Sequence, residues 1–231
     1  MKRISSISIS LIILLFSFFL FSQCGRCTKG SCINGPGAWQ LHDGSTYKGN
    51  FKNMMFHGYG EIIFKGGTYK GYIYKGQWSK NKIKGKGILL YPNGNIYRGF
   101  FKNNKFNGMG VFLYKSGKFK GSTYKGNFKD NKFHGYGTFI FANGNRYEGS
   151  FENNKFNGKG TFTYKNGYFK GSKYKGDFKD NEKHGYGIFL FGNGNTYKGW
   201  WKYNKFHGQG TFTYSYGKVL KGSWKNGKFI E

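Results

Sequence analysis

Alternating aromatic and polar residues, broken by short asparagine-rich stretches, constrain this chain more than any other feature of its sequence. In the stretch 147–167, Tyr147, Gly149 and Phe151 are two residues apart, so they lie on the same face of a predicted β-strand. The asparagine-rich stretch 153–157 favours a turn, and a second alternating segment and a closing Asn-Gly pair follow it. The pattern therefore predicts one β-hairpin.

The hairpin pattern recurs along the chain with a regular period. Its leading residues are Tyr47, Tyr74, Tyr97, Tyr124, Tyr147, Tyr174 and Tyr197, with Leu220 opening a fragment. The seven tyrosines are separated alternately by 27 and 23 residues, so pairs of units form a 50-residue repeat, and the four extra residues predict a longer loop before every second unit. The predicted units of the array 47–231 are 47–73, 74–96, 97–123, 124–146, 147–173, 174–196, 197–219 and the partial unit 220–231. A period of this length is typical of repeat proteins, in which each unit packs against its neighbours.

Each unit combines a leading Tyr-x-Gly-x-Phe/Trp with a later His/Asn-Gly-x-Gly, and the unit 124–146 has every position of this pattern. The pattern resembles the MORN (membrane occupation and recognition nexus) repeat, with small departures at Lys84 and Leu220. The resemblance implies an all-β fold, an elongated single twisted antiparallel sheet built from stacked hairpins. It also implies protein–protein or membrane association rather than catalysis, and MORN proteins have been linked to phospholipid binding.

Glycines and rings occur in register within the units. The chain has 40 Gly, 26 Phe and 19 Tyr, and glycines such as Gly149, Gly158 and Gly160 leave room for rings to lie across the strand backbone. This regular placement and the aromatic content oppose disorder. We expect the rings to line a concave aromatic groove that binds a protein segment or a second copy of the chain. The predicted groove residues are Tyr47, Phe51, Tyr74, Trp78, Tyr97, Phe101, Tyr124, Phe128, Tyr147, Phe151, Tyr174, Phe178, Tyr197 and Trp201.

The positive charge is also placed by the repeat. The net charge is +29, and basic residues follow the leading tyrosines and the Phe or Trp four positions later. The predicted basic face consists of Lys48, Lys52, Lys75, Arg98, Lys102, Lys125, Lys129, Lys175, Lys179, Lys198 and Lys202. Such a face attracts anionic lipid or polysaccharide, whereas the alternative is a solvated face that keeps the sheet soluble. Nucleic acid is not an expected partner, because stacking along a basic groove requires rings and lysines on the same face.

The N-terminus has the outline of an export signal. Residues 1–23 predict a signal peptide with a basic start and the uncharged apolar stretch 4–21, and an uncleaved anchor is the alternative. Cys24 resembles the lipidated cysteine of bacterial lipoproteins, although Gln23 is larger than the usual preceding residue. We therefore expect an exported protein of the cell envelope, either a membrane-anchored lipoprotein or a secreted or periplasmic protein.

Residues 24–46 predict a tether that contains all three cysteines. An odd number of cysteines in an exported chain requires an explanation. If Cys24 carries lipid, Cys27 and Cys32 remain as a pair able to form a disulfide in an oxidising compartment. Three thiolates without a nearby histidine make a poor zinc site, so no metal is expected.

The sequence offers no catalytic arrangement. Four of the five histidines occupy one repeat position that sister units fill with Asn or Lys, which indicates a turn hydrogen bond rather than a ligand. The Gly-x-Gly motifs open no helix, and the nine acidic residues are scattered. We expect no enzyme and no cofactor. The predicted function is a non-enzymatic, exported scaffold for protein–protein or membrane-surface association at the cell envelope, and the alternative is binding of anionic phospholipid or polysaccharide through the basic outer face.

Overall fold

The computed structural model describes residues 25–230, which form strands joined by turns and one short 3₁₀ helix at Gly67–Tyr69. The strands are β1 Gly25–Gly30, β2 Gly35–Leu41, β3 Thr46–Lys52, β4 Met55–Ile63, β5 Ile73–Ser79, β6 Lys82–Leu90, β7 Ile96–Lys102, β8 Lys105–Leu113, β9 Thr123–Lys129, β10 Lys132–Ile140, β11 Arg146–Glu152, β12 Lys155–Thr163, β13 Lys173–Lys179, β14 Glu182–Leu190, β15 Thr196–Lys202, β16 Lys205–Thr213, β17 Val219–Lys225 and β18 Lys228–Phe229. Within the described range, no helix is long and apolar enough to cross a bilayer.

The 18 strands belong to one antiparallel sheet, and the chain divides into two compact units. Among the described residues, the N-terminal unit contains 25–121 and 127–131, and the C-terminal unit contains 122–126 and 132–230. Strands β1 to β8 pair in chain order in the first unit, and β10 to β18 do so in the second. The predicted all-β fold of stacked antiparallel hairpins is confirmed.

The hairpin within each repeat turns through two residues with positive φ. In the hairpin β11–β12 these are Asn153 and Asn154, with φ of 49° and 69°, and Phe151 pairs directly with Phe156. Two successive positive φ values are typical of a type I′ turn, whose twist matches that of the flanking strands. The predicted turn 153–157 is therefore too long, because Phe156 belongs to the second strand and is buried.

A bulge follows the turn in the second strand of the hairpin. Gly149 pairs with Gly160 while Phe151 pairs with Phe156, so the second strand has two extra residues between these pairs. Gly158 lies in this interval with a φ of +88°, a conformation that favours glycine. Its role is therefore to allow the bulge, whereas the predicted role was to make room for a ring. Two extra residues preserve the alternation of faces along the strand.

Asparagine side chains connect each turn to the preceding hairpin. Asn181 Oδ1 accepts a hydrogen bond from the Phe156 backbone N–H at 2.8 Å, and the Asn181 N–H donates to the Phe156 carbonyl at 3.0 Å. The same pair of bonds joins Asn81 to Phe56, Asn104 to Ile83, Asn131 to Phe106, Asn154 to Phe133 and Asn204 to Lys183. Backbone groups at the turn edge are thus satisfied by the next hairpin, which fixes the stacking distance.

The connections at the other edge alternate in length, as the 50-residue repeat predicts. Residues 64–72 and 164–172 form nine-residue connections, whereas 91–95 and 191–195 form five-residue connections. The longer loop therefore precedes every second repeat.

The core consists of tyrosine rings that cover glycines. A Cβ on Gly160 would lie 2.5 Å from Tyr147 Oη, so the ring occupies the space of the missing side chain. The Tyr147 hydroxyl donates to the Ser150 carbonyl at 2.7 Å, and its ring stacks on Phe156 with centroids 3.7 Å apart. Phe178 of the next repeat meets the Tyr147 ring edge-on at 5.0 Å. Burial raises the pKa of Tyr147 well above its usual value, because its phenolate would be desolvated.

Residues 25–41 differ from the predicted tether because they form the hairpin β1–β2. Trp39 pairs with Tyr47 of β3, and Leu41 is buried. This hairpin continues the antiparallel pairing without the Tyr-x-Gly signature, because a strand needs only backbone partners and one buried face to pair.

Candidate functional site on the exposed face of the sheet

The rings predicted to line an aromatic groove are buried instead. Tyr47 and Tyr147 are 0% exposed, and none of the fourteen predicted groove residues exceeds 4%. They are Tyr47, Phe51, Tyr74, Trp78, Tyr97, Phe101, Tyr124, Phe128, Tyr147, Phe151, Tyr174, Phe178, Tyr197 and Trp201. The physical reason is that second-strand rings such as Phe156 stack on them and close the space between repeats. These side chains pack the core and do not line the continuous groove that was predicted.

The predicted basic residues all lie exposed on the opposite face of their strands. They are Lys48, Lys52, Lys75, Arg98, Lys102, Lys125, Lys129, Lys175, Lys179, Lys198 and Lys202. In the N-terminal unit, Lys48, Lys75 and Arg98 occupy one line across β3, β5 and β7, and we call them the basic row. Lys75 lies 3.8 Å from Glu61, which neutralises it in part.

A line of aliphatic side chains runs beside the basic row, two residues away from it on each strand. We call it the aliphatic row, and it consists of Ile63, Ile73, Leu90, Ile96 and Leu113. Each residue is the direct cross-strand partner of the next, so the row crosses five neighbouring strands. Leu90 is 37% exposed and the others are half-buried. The row could not be predicted from the sequence, because its residues become neighbours only when the strand register is known.

The same row in the C-terminal unit is largely polar. It consists of Thr163, Lys173, Leu190, Thr196 and Thr213. These positions lie 100 residues after those of the aliphatic row, and only Leu190 remains aliphatic. Beside them, Lys175, Lys198 and Lys221 occupy every second strand of the neighbouring line. The two units therefore offer different chemistry on equivalent faces.

Exposed rings share the basic face, which corrects one sequence argument. Tyr186 and Trp200 are cross-strand partners with centroids 5.9 Å apart, and they are 41% and 52% exposed. In the N-terminal unit, Lys86 Nζ lies 5.5 Å from the Phe100 ring centroid. The expectation that rings and lysines lie on opposite faces holds for the buried tyrosines but not for these side chains.

The cysteine predictions fall partly inside the described range. Cys27 and Cys32 form a disulfide that closes the β1–β2 hairpin, with their Cα atoms 6.0 Å apart. Cys24 and the predicted signal peptide 1–23 lie outside the described residues.

The histidines predicted to be structural lie half-buried after the turns. His57 and His184 pair across the bulge with Asn50 and Asp177. Residues 25–230 contain no group of three or more His, Cys, Asp or Glu side chains that could hold a metal ion.

Lys183 is a buried charged residue that was not predicted from the sequence. It is 3% exposed, at a repeat position that is Phe or Ile in the other six full units. Burial among apolar rings lowers the pKa of its ammonium to about 7. The sequence did contain a signal for it, because a lysine replaces an apolar residue at a repeat position that is otherwise Phe or Ile.

The chain is similar to a number of solved structures, among them three of TCP or TCP10 domains. The TCP domain of SAS-4 (dCPAP) from Drosophila melanogaster, in complex with a proline-rich motif of Ana2 (dSTIL), is 14% identical with a TM-score of 0.41, over 87% of this chain and 90% of that chain. The wild-type TCP10 domain of Danio rerio CPAP is 8% identical with a TM-score of 0.43, over 87% and 95%. The same domain in complex with a STIL peptide is 10% identical with a TM-score of 0.26, over 87% and 99%. Scores this low carry no inference about the partners of this chain.

Sequence comparison gives the clearer relationship. No curated protein sequence matches the chain significantly. The MORN repeat family matches it over residues 47–69, 74–96, 97–119, 124–146, 147–167, 174–196 and 197–217. These seven segments cover more than half of the chain and coincide with the observed hairpins. The chain therefore belongs to the MORN repeat family.

Proposed function

We propose that this chain is a non-catalytic scaffold that binds a protein partner through the aliphatic row of its N-terminal unit. The observation that carries the proposal is the unbroken line of five aliphatic residues on an exposed sheet face. Half-exposed aliphatic side chains in contact with one another leave an apolar surface in water, and such surfaces are typical of interaction sites. The buried tyrosines account for the stability of the hairpins, so the sheet does not need this row for its core.

The neighbouring basic row defines the chemistry of the partner. A segment that covers the aliphatic row places its flank over Lys48, Lys75 and Arg98, where carboxylates are favoured. Five strands spaced by about 4.8 Å give a row about 19 Å long, which an amphipathic helix of about 13 residues spans. The partner we propose is therefore a protein segment with aliphatic residues on one side and Asp or Glu beside them.

Peptide-display selection against the full chain tests this proposal, because it samples many peptides and does not require the natural partner. The variant Ile63→Thr/Ile96→Thr/Leu113→Thr converts the row to the residues that the C-terminal unit has at the same repeat positions, so the sheet accepts them. We expect selected peptides to combine aliphatic and acidic residues. We also expect the variant to bind them at least about tenfold more weakly, because three apolar contacts are lost.

Leu190→Thr is the matched control, because it changes the one aliphatic residue in the equivalent row of the C-terminal unit. It should leave the affinity for the selected peptides within about twofold. Selected peptides that lack acidic residues, or that bind the triple variant as tightly as the unchanged chain, would contradict the proposal. If the unchanged chain self-associates with rising concentration in sedimentation experiments and the triple variant does not, the partner that covers the aliphatic row is a second copy of the chain.

A second candidate function is binding of anionic phospholipid or polysaccharide. Its support is the line Lys175, Lys198 and Lys221, exposed on alternate strands of the C-terminal unit. For the lipid, the chain should bind vesicles of phosphatidylcholine only when they also contain phosphatidylserine; for the polysaccharide, it should bind an acidic polysaccharide. In either case, binding should weaken as the salt concentration rises. Replacing the three lysines by Glu should abolish it. Binding that survives both high salt and the charge reversal excludes this function.

We propose further that the protein is exported and held at the cell envelope. The signal-like stretch 1–23 and Cys24 support this location, and the Cys27–Cys32 disulfide fits an oxidising compartment. Mass spectrometry of the mature N-terminus tests the proposal. An acylated Cys24 is expected for a lipoprotein, and a cleaved chain without lipid is expected for a secreted protein. A chain that keeps Met1 and is found outside an oxidising compartment contradicts export.

A further inference from the structure

Lys183 stands where the other full repeats have a core ring or an isoleucine. Phe156 and Phe206 occupy this position in the two neighbouring repeats and stack on their leading tyrosines, each with centroids 3.7 Å apart. Lys183 extends instead between the rings of its own repeat and those around it. The substitution therefore brings an amine into an aromatic interior.

Five rings surround the end of this side chain. Lys183 Nζ lies 4.8 Å from the ring centroid of Phe189, 5.2 Å from that of Trp201 and 5.6 Å from that of Tyr174. Tyr164 and Phe169 complete the group at 5.6 and 5.9 Å. Cation–π attraction stabilises an ammonium here, but a ring face provides no hydrogen-bond acceptor of the strength of an oxygen.

The ammonium has no strong acceptor and lies beside open space. Among residues 25–230, no oxygen accepts a hydrogen bond from Lys183 Nζ. The backbone N–H of Lys183 donates to Asn204 Oδ1 at 2.9 Å. A cavity of about 90 Å³ adjoins it. Its lining includes Phe169, Phe189, Trp201 and Phe206, together with Asn204 and Lys205. An ammonium in such apolar surroundings is stabilised when an anion enters the cavity and accepts its hydrogen bonds.

We propose that this cavity binds a small carboxylate, whose oxygens accept hydrogen bonds from Lys183. The carboxylate comes either from a free short-chain acid or from a Glu or Asp side chain of a partner. An ammonium and a carboxylate form charge-assisted hydrogen bonds, which are roughly twice as strong as neutral ones. The apolar rings accommodate the short hydrocarbon part of the same ligand.

The size and charge of the cavity favour a small, singly charged ligand. An engineered cavity of about 150 Å³ accommodates benzene, so this cavity of about 90 Å³ has room for a two- to four-carbon acid. Lys183 is the one buried cation in the lining, and Lys205 lies exposed at the rim. A single buried positive charge matches a monoanion better than a phosphate.

Ligand binding should also change the titration of Lys183. The titratable side chains whose rings face it are Tyr164 and Tyr174, with ring centroids 5.6 Å from Nζ, and burial raises the pKa of both above the usual value. Lys205 at the rim adds a second positive charge, and the Glu182 carboxylate accepts a hydrogen bond from Asn204. A bound carboxylate favours the charged amine, so it should raise the pKa of Lys183 from about 7.

The experiment is a titration of the full chain, with ¹³C-labelled lysine, by sodium propionate against matched sodium chloride. Ring currents from five rings should separate the Lys183 ε-methylene signal from those of the exposed lysines. We expect a saturable shift with propionate, none with chloride, and a raised Lys183 pKa at saturation. Lys183→Met removes the labelled reporter, so binding to that variant is measured by propionate-dependent thermal stabilisation and should be at least tenfold weaker.

Two further variants separate the cavity from general charge and from loss of folding. Lys205→Met removes the rim charge and should keep saturable binding. Lys183→Phe restores the ring of the sister repeats, should fold, and should lose propionate-dependent stabilisation. If propionate stabilises Lys183→Met or Lys183→Phe as much as the unchanged chain, or if the Lys183 signal titrates with pH but ignores propionate, the carboxylate site is overturned.

Competition distinguishes the two sources of carboxylate. A peptide with exposed Glu side chains and an amidated C-terminus should displace propionate if a partner's side chain occupies the cavity. Propionate binding without displacement by the peptide assigns the cavity to a free acid. Either result depends on Lys183 and leaves the aliphatic row untouched, so the outcome is independent of the protein-binding proposal.

Discussion

The repeats 147–167 and 174–196 show the same backbone built around different core residues. In the first, Phe156 stacks on Tyr147 with centroids 3.7 Å apart, whereas in the second Lys183 occupies the position of that ring. Nevertheless, the Tyr174 hydroxyl donates to the Asp177 carbonyl at 2.9 Å, as the Tyr147 hydroxyl does to Ser150 at 2.7 Å. The leading tyrosine and its local hydrogen bond therefore do not depend on the stacked ring.

The comparison separates two kinds of core position. The glycine beneath each leading tyrosine is fixed, because a Cβ on Gly160 or Gly187 would lie 2.5 or 2.4 Å from the tyrosine hydroxyl. The stacking position differs between repeats, and in the repeat 174–196 its lysine adjoins a cavity. One repeat can thus carry a different core residue while its neighbours preserve the fold.

The largest expected loss of stability comes from placing a lysine at the equivalent position of the repeat 147–167. Phe156→Lys removes a buried ring, which alone costs about 3–5 kcal/mol, and also buries an ammonium. We expect urea unfolding to show at least this loss in the free energy of unfolding. A loss below about 1 kcal/mol would mean that any repeat accepts a lysine here, and the 174–196 repeat would then hold no special site.

The next effect tests whether the two repeats share one tyrosine–glycine frame. Gly160→Ala and Gly187→Ala each place a Cβ less than 3 Å from atoms of the leading tyrosine. We expect each to lower the free energy of unfolding by about 3 kcal/mol, at the upper end for overpacking. Gly167→Ala is the control, because a φ of +82° strains alanine but nothing lies within 4 Å of the new Cβ. It should cost about 1 kcal/mol. Calorimetry that finds Gly187→Ala harmless would contradict a shared frame.

A smaller effect, and one that depends on pH, distinguishes Lys183 from its sister ring. Its folded pKa of about 7 lies below its unfolded value, so the folded chain binds fewer protons between these values and stability rises with pH across that window. Lys183→Phe removes this dependence. We expect the variant to be more stable by about 1–3 kcal/mol below pH 7 and the advantage to shrink toward pH 9.5, because cation–π contacts already offset part of the desolvation.

Urea unfolding of both chains from pH 6 to 9.5 measures this difference. Phe156→Leu serves as the control, since it changes the same position in the sister repeat without a titratable group. Its effect should not vary with pH. A stability difference for Lys183→Phe that stays constant across the window would show that Lys183 does not titrate there.

The hairpins and the division into a buried and a basic face could be predicted because both follow from alternation. Spacing by two places Tyr147 and Phe151 on one side whatever the neighbouring strands do. The position of Phe156 was harder to predict, because it lies in the asparagine-rich stretch 153–157, which resembles one long turn although only two residues form the turn. The pair Asn153-Asn154, with its tolerance for positive φ, was the signal that would have shortened that turn.

The functional surfaces were less accessible to sequence reasoning because they depend on register between strands. Ile73 and Leu90 are 17 residues apart, and only their pairing makes them neighbours. The environment of Lys183 likewise requires rings from three repeats. By contrast, the exposure of Trp200 was readable, because it has the same parity as Lys198 and Lys202.

The smallest predicted effect asks whether the leading tyrosine has acquired a second role beside Lys183. Tyr147→Phe and Tyr174→Phe each remove a hydroxyl that donates to the backbone carbonyl three residues later, and each should cost about 1 kcal/mol in urea unfolding. The Tyr174 hydroxyl has a second, longer contact with the His184 carbonyl at 3.5 Å. Tyr168→Phe, at a ring that is 96% exposed, is the control and should have no measurable effect. The Tyr174 ring centroid lies 5.6 Å from Lys183 Nζ, but its face survives the substitution, so cation–π attraction should be retained. Equal costs at the two tyrosines mean that the hydroxyl serves only the hairpin. A clearly larger cost for Tyr174→Phe, confined to pH values below 7, means that this hydroxyl also stabilises the buried ammonium.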